Sequence, residues 1–356
     1  MNAAVVVAGI IVFGITLYAW SGLADFGAGF WDLVAGGKTD GRRVRALIDE
    51  VVTPVWEANH VWLIFILVTC WTGFGLLFGA VMTTLFVPLS LAALGIVLRG
   101  ASFALRKDAA REGGRHIAGW LFGLGAIITP FFFGTTVGAI ISGRVPATGV
   151  GDPVSSWWNP VSVTVGLLAV AMSAFLSAVY LVVESTRRGV HELRAYFRIR
   201  AVVAGVVGLL CGVAAAVALH ADALQMFDRL AHRSWPLLII GVVALGATLL
   251  MALRGAARGL RIVAALGVAA LVWSWAVAQY PYLLPFSMTI ASGSGANITM
   301  KWLIGWFVVA TVTVIPLLVY LYVLDQRGQL GEDPTTGVAG RPPAAGPNPA
   351  PPRQPS

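Results

Sequence analysis

Charge is scarce in this chain. Of its 356 residues 11% are charged and 58% hydrophobic, with a mean hydropathy of +0.83. A soluble domain carries about 25% charged residues, so a soluble catalytic domain is excluded and an integral membrane protein is indicated. Cysteine is scarcer still. Cys70 and Cys211 each lie inside an apolar span and form no CxxC pair, which argues against a disulfide framework or thiolate metal site and for packing roles. No Lys or Arg precedes the first apolar run, and no clear small-residue cleavage site follows it. The N-terminal segment therefore reads as a retained span rather than a removed signal peptide. No nucleic-acid-reading motif accompanies the net charge of +8. The excess fits the positive bias of cytoplasmic loops, and no nucleic-acid partner is expected beside the membrane lipids.

What is present is a series of long apolar runs. A crossing needs about 20 mostly apolar residues. Nine stretches qualify: Ala3–Val34, Pro54–Phe78, Met82–Leu105, Ile117–Ile141, Trp158–Val183, Ala201–His220, Trp235–Leu253, Leu260–Tyr280 and Met300–Leu324. The expected fold is an all-α integral membrane protein of about nine transmembrane helices within residues 1–327. With Arg261 and Lys301 counted at the mouths of their spans, the first, third, fifth and seventh loops hold 16 Lys and Arg, the other four loops only 4. That asymmetry predicts an outside N-terminus and a cytoplasmic C-terminus. Residues 328–356 are rich in Pro and Gly and nearly uncharged, a composition that predicts a disordered cytoplasmic tail. Gly75/Gly79, Gly119/Gly123, Gly134/Gly138 and Gly208/Gly212 have GxxxG spacing, read here as close helix packing.

Three charges stand out against this background: Asp25, Glu57 and Arg99, inside spans or at their mouths. A charge facing hydrocarbon costs roughly 2.5–3.5 kcal/mol, so such residues face a protein interior or a water-filled path. On the predicted topology all three fall in the cytoplasmic half of consecutive spans. Two of them have an ordinary reading. Glu57 follows Thr53-Pro54, where a carboxylate suits the helix dipole, and Arg99 can snorkel beside Arg106 and Lys107. Together, two acids and one base at similar depth favour an internal polar cluster. The segment Pro54 to Leu63, PVWEANHVWL, adds Asn59 and His60, which lipid cannot satisfy, and Trp56 and Trp62, which also suit an interfacial aromatic belt. The five histidines, His60, His116, His191, His220 and His232, are poorly arranged for haem: His60 and His220 fall near opposite faces of an apolar core about 30 Å thick. No metal site and no haem or quinone motif is read in this chain.

These residues resemble subunit II of the cytochrome bd-type quinol oxidases. The family's first-span ending LDGFDLGVG corresponds to Ser21-Gly22-Leu23-Ala24-Asp25-Phe26-Gly27-Ala28-Gly29, its PVWDGNEVWL to Pro54–Leu63, and its RGxAFEFRxK to Arg99–Lys107. Weaker matches are Ala178–Leu181, Tyr280-Pro281-Tyr282 and Thr299-Met300-Lys301. The resemblance implies two four-helix bundles plus one extra helix, without haem. It also implies a partner subunit I carrying haem b and haem d, with quinol as substrate of the complex, and a small single-helix subunit as a further candidate partner. The pair reduces dioxygen to water with cytoplasmic protons, and the motif residues place a proton path on Glu57 and Asp25 with Arg99 as charge partner. His60 is a candidate relay near neutral pH; Trp56, Asn59 and Trp62 are supporting residues.

The departures from the family pattern are specific. Gly22 and Ala104 stand where acids are expected, Glu57-Ala58 replaces Asp-Gly, His60 follows Asn59, and Gly295-Ala296 replaces a serine pair. The chain thus reads as a divergent member in the bacterial cytoplasmic membrane, noncatalytic by itself. Two alternatives stay open on sequence: a stand-alone transporter or channel, and a structural scaffold without a proton path.

Overall fold

The computed structural model describes residues 2–36, 39–108 and 112–326, with side chains at 39–40, 50–58, 103–104, 106–108, 112–116, 315, 318–319 and 321–326 outside the description. In chain order the elements are α1 (Ala3–Val34), α2 (Thr39–Gly73), α3 (Gly75–Thr84), α4 (Phe86–Asp108), α5 (Glu112–Ile141), α6 (Pro160–Arg187), α7 (His191–Asp222), α8 (Leu224–Arg233), α9 (Trp235–Leu253) and α10 (Leu260–Gln279). A short hairpin, β1 (Tyr282–Leu284) and β2 (Met288–Thr289), follows, then α11 (Ile290–Gly293) and α12 (Asn297–Gln326). The chain divides into two compact units, Met1–Ile304 and Gly305–Ser356, at a boundary that falls within α12. The predicted tail, 328–356, lies outside the described residues.

Among the described residues, seven helices are long and apolar enough to cross a membrane, or eight if one bent pair is a single span. The fold is an all-α membrane architecture, and two of the nine expected spans follow a different course for a local reason. The expected spans Pro54–Phe78 and Met82–Leu105 are interrupted. The helix ends at Gly73, and Phe74 leaves helical geometry at φ −130°, ψ 57°. The axes of Asn59–Gly73 and Gly75–Thr84 then differ by 117°. Phe74 is fully buried beside Ala4, Val7, Ile290 and Met300, and the Gly73 carbonyl, freed by the break, accepts from Gly295 N at 2.9 Å. A second break falls at Leu85, also fully buried. Pro88 lacks the N–H that would bond the Thr84 carbonyl, so continuous helix there would leave that acceptor empty.

Two helices begin earlier than hydropathy predicts. α2 starts at Thr39 rather than Pro54, and α7 at His191 rather than Ala201. Both added stretches are amphipathic in effect. Val44, Leu47 and Ile48 are buried at i, i+3 and i+4, and Phe197 is buried on α7. They extend a core made with Trp31, Phe175, Leu176, Leu181, Leu260 and Val268. A charged stretch fails a hydropathy window while still having one apolar stripe to bury.

Helix α6 is central: it packs against α1, α5, α7 and α10. Close approach is set by glycine. A Cβ on Gly27 of α1 would lie 1.8 Å from the Ser173 carbonyl oxygen of α6. Of the GxxxG pairs, Gly134/Gly138 meets the packing expectation most directly, since Cβ atoms there would lie 2.7 and 2.5 Å from the Gly166 and Ser162 Cα atoms.

Candidate functional site

Two of the three displaced charges meet inside the protein. Asp25 on α1 and Arg99 on α4 are 2% and 1% exposed, so their charges are withdrawn from lipid and water alike. Arg99 Nη2 donates to the Asp25 carboxylate Oδ1 and, at 2.9 Å, to the Asp25 main-chain oxygen. The guanidinium also lies over the Phe26 and Phe122 rings, 5.0 and 4.8 Å from their centroids, within cation–π range. A buried ion pair of this kind is tolerated only with good geometry, and removing one partner costs about 3–5 kcal/mol. The alternative in which Arg99 snorkels to a headgroup does not fit this burial.

The sequence around each residue explains how the pair closes. Gly27 lets α1 sit against α6, and Trp31 Nε1 donates to the Ala174 carbonyl at 2.8 Å, fixing that side of α1. On the other side, Gly95 and Gly125 bring α4 onto α5. A Cβ at Gly125 would lie 2.4 Å from the Gly95 carbonyl oxygen and 3.3 Å from Arg99 N. Small residues here put the long arginine stem between helices instead of outside them.

Helix α2 supplies the rest. Asn59, 1% exposed, faces the Asp25 carboxyl, yet neither of its amide atoms completes a hydrogen bond of ordinary geometry. His60, half-buried, is in electrostatic reach of the same carboxyl. Trp62 packs instead on α1, its ring edge-on to Phe13 at 6.4 Å, and so serves helix packing away from the pair. The side chains of Trp56, Glu57 and Ala104 lie outside the described residues. The backbone places Glu57 two positions before Asn59 on the same helix.

One buried acid on α1 escapes the sequence pattern. Asp32 is 2% exposed, with Arg45 Nε 3.5 Å from its Oδ1. It stands two residues before the end of the apolar run, where a carboxylate reads as a boundary residue. The available signal is spacing: Tyr18, Asp25 and Asp32 recur every seventh residue, nearly two turns, which keeps them on one helix face. Tyr18 is in electrostatic reach of both Asp25 and Arg99. Two carboxylates, a phenol, an amide and an imidazole thus share one side of α1. Such groups can hold protons and the water molecules that carry them. Gly22 lies on the same helix, and a Cβ there would meet nothing closer than 3.5 Å.

Among the described residues no group of three or more His, Cys, Asp and Glu is placed to hold a metal ion. His220 packs on Phe227, and His232 Nδ1 lies 3.0 Å from the Asp228 carbonyl. Cys70 and Cys211 are free thiols.

Comparison with known proteins agrees with the motifs. The family model described as cytochrome bd terminal oxidase subunit II matches residues 3–325. A Bacillus subtilis (strain 168) protein provisionally named cytochrome bd menaquinol oxidase subunit II is 22% identical, over 89% of this chain and 94% of its own length. The cytochrome bd-I ubiquinol oxidase subunit 2 of Escherichia coli (strain K12) is also 22% identical, over 82% of this chain and 86% of its own. Among solved structures, the bd oxidase from Geobacillus thermodenitrificans contains a chain of the same fold. Its TM-score is 0.74 at 23% identity, covering 91% of this chain and 98% of that one. The apolar helices and these relatives make this a multi-pass protein of the bacterial cytoplasmic membrane. Because the family model runs from the start of α1 nearly to the end of α12, taking in the buried pair and every helix that builds it, the chain belongs to the cytochrome bd terminal oxidase subunit II family.

Proposed function

We propose that this chain is the haem-free subunit of a quinol:dioxygen oxidoreductase of the cytochrome bd type, and that it carries a cytoplasmic proton-uptake path toward a haem-bearing subunit I. The single observation that carries the proposal is the buried Asp25–Arg99 pair with Asn59 and His60 beside it and Asp32 two turns away. Buried carboxylates inside a membrane domain mark ion and proton routes more often than packing. In this reading Asp32 and Glu57 take protons at the mouth, Asp25 passes them on, and Arg99 holds the Asp25 carboxylate in place between transfers. The finer architecture goes with it: nine crossings in two four-helix bundles plus one, with the C-terminus cytoplasmic. The haems and the quinol belong to the complex and its partner chain.

The break at Phe74 resembles the discontinuous helices of transporters, which hold substrate near the midplane. Asn59–Gly73 rises about 22 Å before the break, most of the ~30 Å core. The interruption therefore lies off-centre and favours the oxidase reading.

The test is turnover in the complex purified with its partner. Glu57→Gln and Asp25→Asn are expected to slow quinol-driven oxygen consumption roughly tenfold or more, as loss of a proton-transfer group does, with the haem spectrum unchanged. Because Asp25→Asn leaves Arg99 buried without its carboxylate, the D25N/R99Q pair separates lost stability from lost turnover. Normal turnover in spectrally normal variants would refute the proton path.

A further inference from the structure

A second constellation of charge lies far along the chain from Asp25, where α7 begins. His191, Arg194 and Arg198 stand at i, i+3 and i+7, on one face of α7. With Ala195 they line a cleft of about 230 Å³ whose other wall is Arg254 and Gly255, at the end of α9. The turn is built to hold that wall in place. Gly255, at φ +71°, closes α9 through Gly255 N to Ala252 O at 3.1 Å and Ala256 N to Met251 O at 2.9 Å, the left-handed stop that favours glycine. A Cβ there would lie 2.9 Å from Arg194 Nη2.

The cations in this cleft exceed the anions available to them. Arg194 donates to the Gly255 carbonyl. The side chains of Arg198 and Arg254 have no hydrogen bond or ion pair among the described residues. Residues 184–200 and 254–261 hold eight arginines and two glutamates, and both glutamates are engaged. Glu184 pairs with Arg187, Arg188 and Arg261, while the exposed Glu192 turns to Arg43 at 2.9 Å. The N-cap of α7 is Val190, which has no side-chain acceptor for the first-turn amides, so the positive end of the helix dipole reinforces the same field. Solvated surface arginines are ordinary. Three of them from two helices around one concavity, without a counter-charge among the described residues, are not.

The geometry points to a binding site for a phosphate group, formed by Arg194, Arg198 and Arg254 with His191 at its rim. Guanidinium forks match phosphate oxygens in pairs. The site lies at the end of the bundle that gathers the basic loops, where anionic lipid headgroups bind basic pockets between helices. The phosphate can come from a phospholipid headgroup or from solution. This inference does not depend on the proton path.

The experiment is native mass spectrometry of the full chain, with whatever partner chains it retains, released from detergent after delipidation. The probes are phosphatidylglycerol, phosphatidylcholine and inorganic phosphate. Retention of phosphatidylglycerol at least tenfold above phosphatidylcholine, lowered by added phosphate, supports the site and assigns it to lipid. Retention of phosphate without preference between the lipids supports the site and assigns it to the free anion. In either case R198Q/R254Q must reduce binding at least tenfold. Ala195→Glu, which leaves every arginine in place and alters an exposed position, must do the same. Parental binding in either variant, or no retention of either phosphate source by the parent, overturns the proposal.

Discussion

At the scale of single residues, two glycines on α1 face opposite consequences from the same change. Gly27 stands where α1 touches α6, and a Cβ would lie 1.8 Å from the Ser173 carbonyl oxygen and 2.7 Å from the Ser177 Cβ. Neither neighbour is a flexible tip, so Gly27→Ala must push the helices apart, and overpacking of this kind costs about 1–3 kcal/mol. Gly22 meets only the Tyr18 and Phe26 rings at 3.5 Å or more. There Gly22→Ala should stabilise by about 0.5–1 kcal/mol, the helix-interior difference between the two residues. Thermal unfolding in detergent checks both signs. The two sites also mark what the sequence makes legible. Asp25 and Arg99 are visible as charges in apolar spans and are expected in one polar cluster, but the direct contact that joins them is not, because it depends on Gly95, Gly125 and Gly27 admitting close approach. Asp32 is hidden by its place at the end of a run, and only its seven-residue spacing from Asp25 betrays it.

At the scale of elements, local hydropathy sees length and misses geometry. Most spans are where the apolar runs lie, since burial in lipid needs only a continuous greasy stretch. The two breaks at Phe74 and Leu85 are invisible to that measure, because both residues are themselves apolar. They are stabilised by tertiary partners, Phe74 by Ala4, Val7, Ile290 and Met300. If Phe74 anchors the corner, Phe74→Ala should destabilise by about 3–5 kcal/mol, the usual cost of emptying a buried aromatic site. A lower melting temperature with faster proteolysis near Gly75 would show it, and an unchanged melt would remove the anchor role. The connection between α5 and α6 is held differently. Asp152 Oδ1 accepts from Val154 N at 2.8 Å and Ser155 N at 2.6 Å, and these amides hold its carboxyl below the usual carboxylate range. A depressed folded value means the turn gains stability above the unfolded pKa and loses it as pH falls through the folded one. Amide protection at Val154 and Ser155 should therefore fall at acid pH and be insensitive to pH around neutrality in the parent. Asp152→Asn should abolish the acid-dependent component.

At the scale of the whole molecule, the decisive quantity is which side of the membrane each end faces. The predicted orientation rests on 16 Lys and Arg in one set of loops against 4 in the other, and it assigns Asp32, Arg45 and the α9–α10 turn to the cytoplasm. The proposed proton path requires that assignment, because its mouth must open to the compartment that supplies protons. Exposed positions on the two sides allow a direct measurement: Ser155 in the connection between α5 and α6, and Ala256 in the turn after α9. Single cysteines are introduced there after Cys70 and Cys211 are replaced. A membrane-impermeant maleimide should then label Ser155→Cys in right-side-out spheroplasts and Ala256→Cys only after permeabilisation. The reverse pattern would turn the bundle over. It would leave the buried Asp25–Arg99 pair as a structural device and move the arginine cleft to the outer leaflet. Labelling as expected would instead place Asp32 and its Arg45 partner at the cytoplasmic surface, about 10 Å along α1 from Asp25. That distance is too long for direct transfer, so a working path needs bridging water between the carboxylates. Asn59, with both amide atoms unsatisfied among the described residues, is placed to hold such water near Asp25.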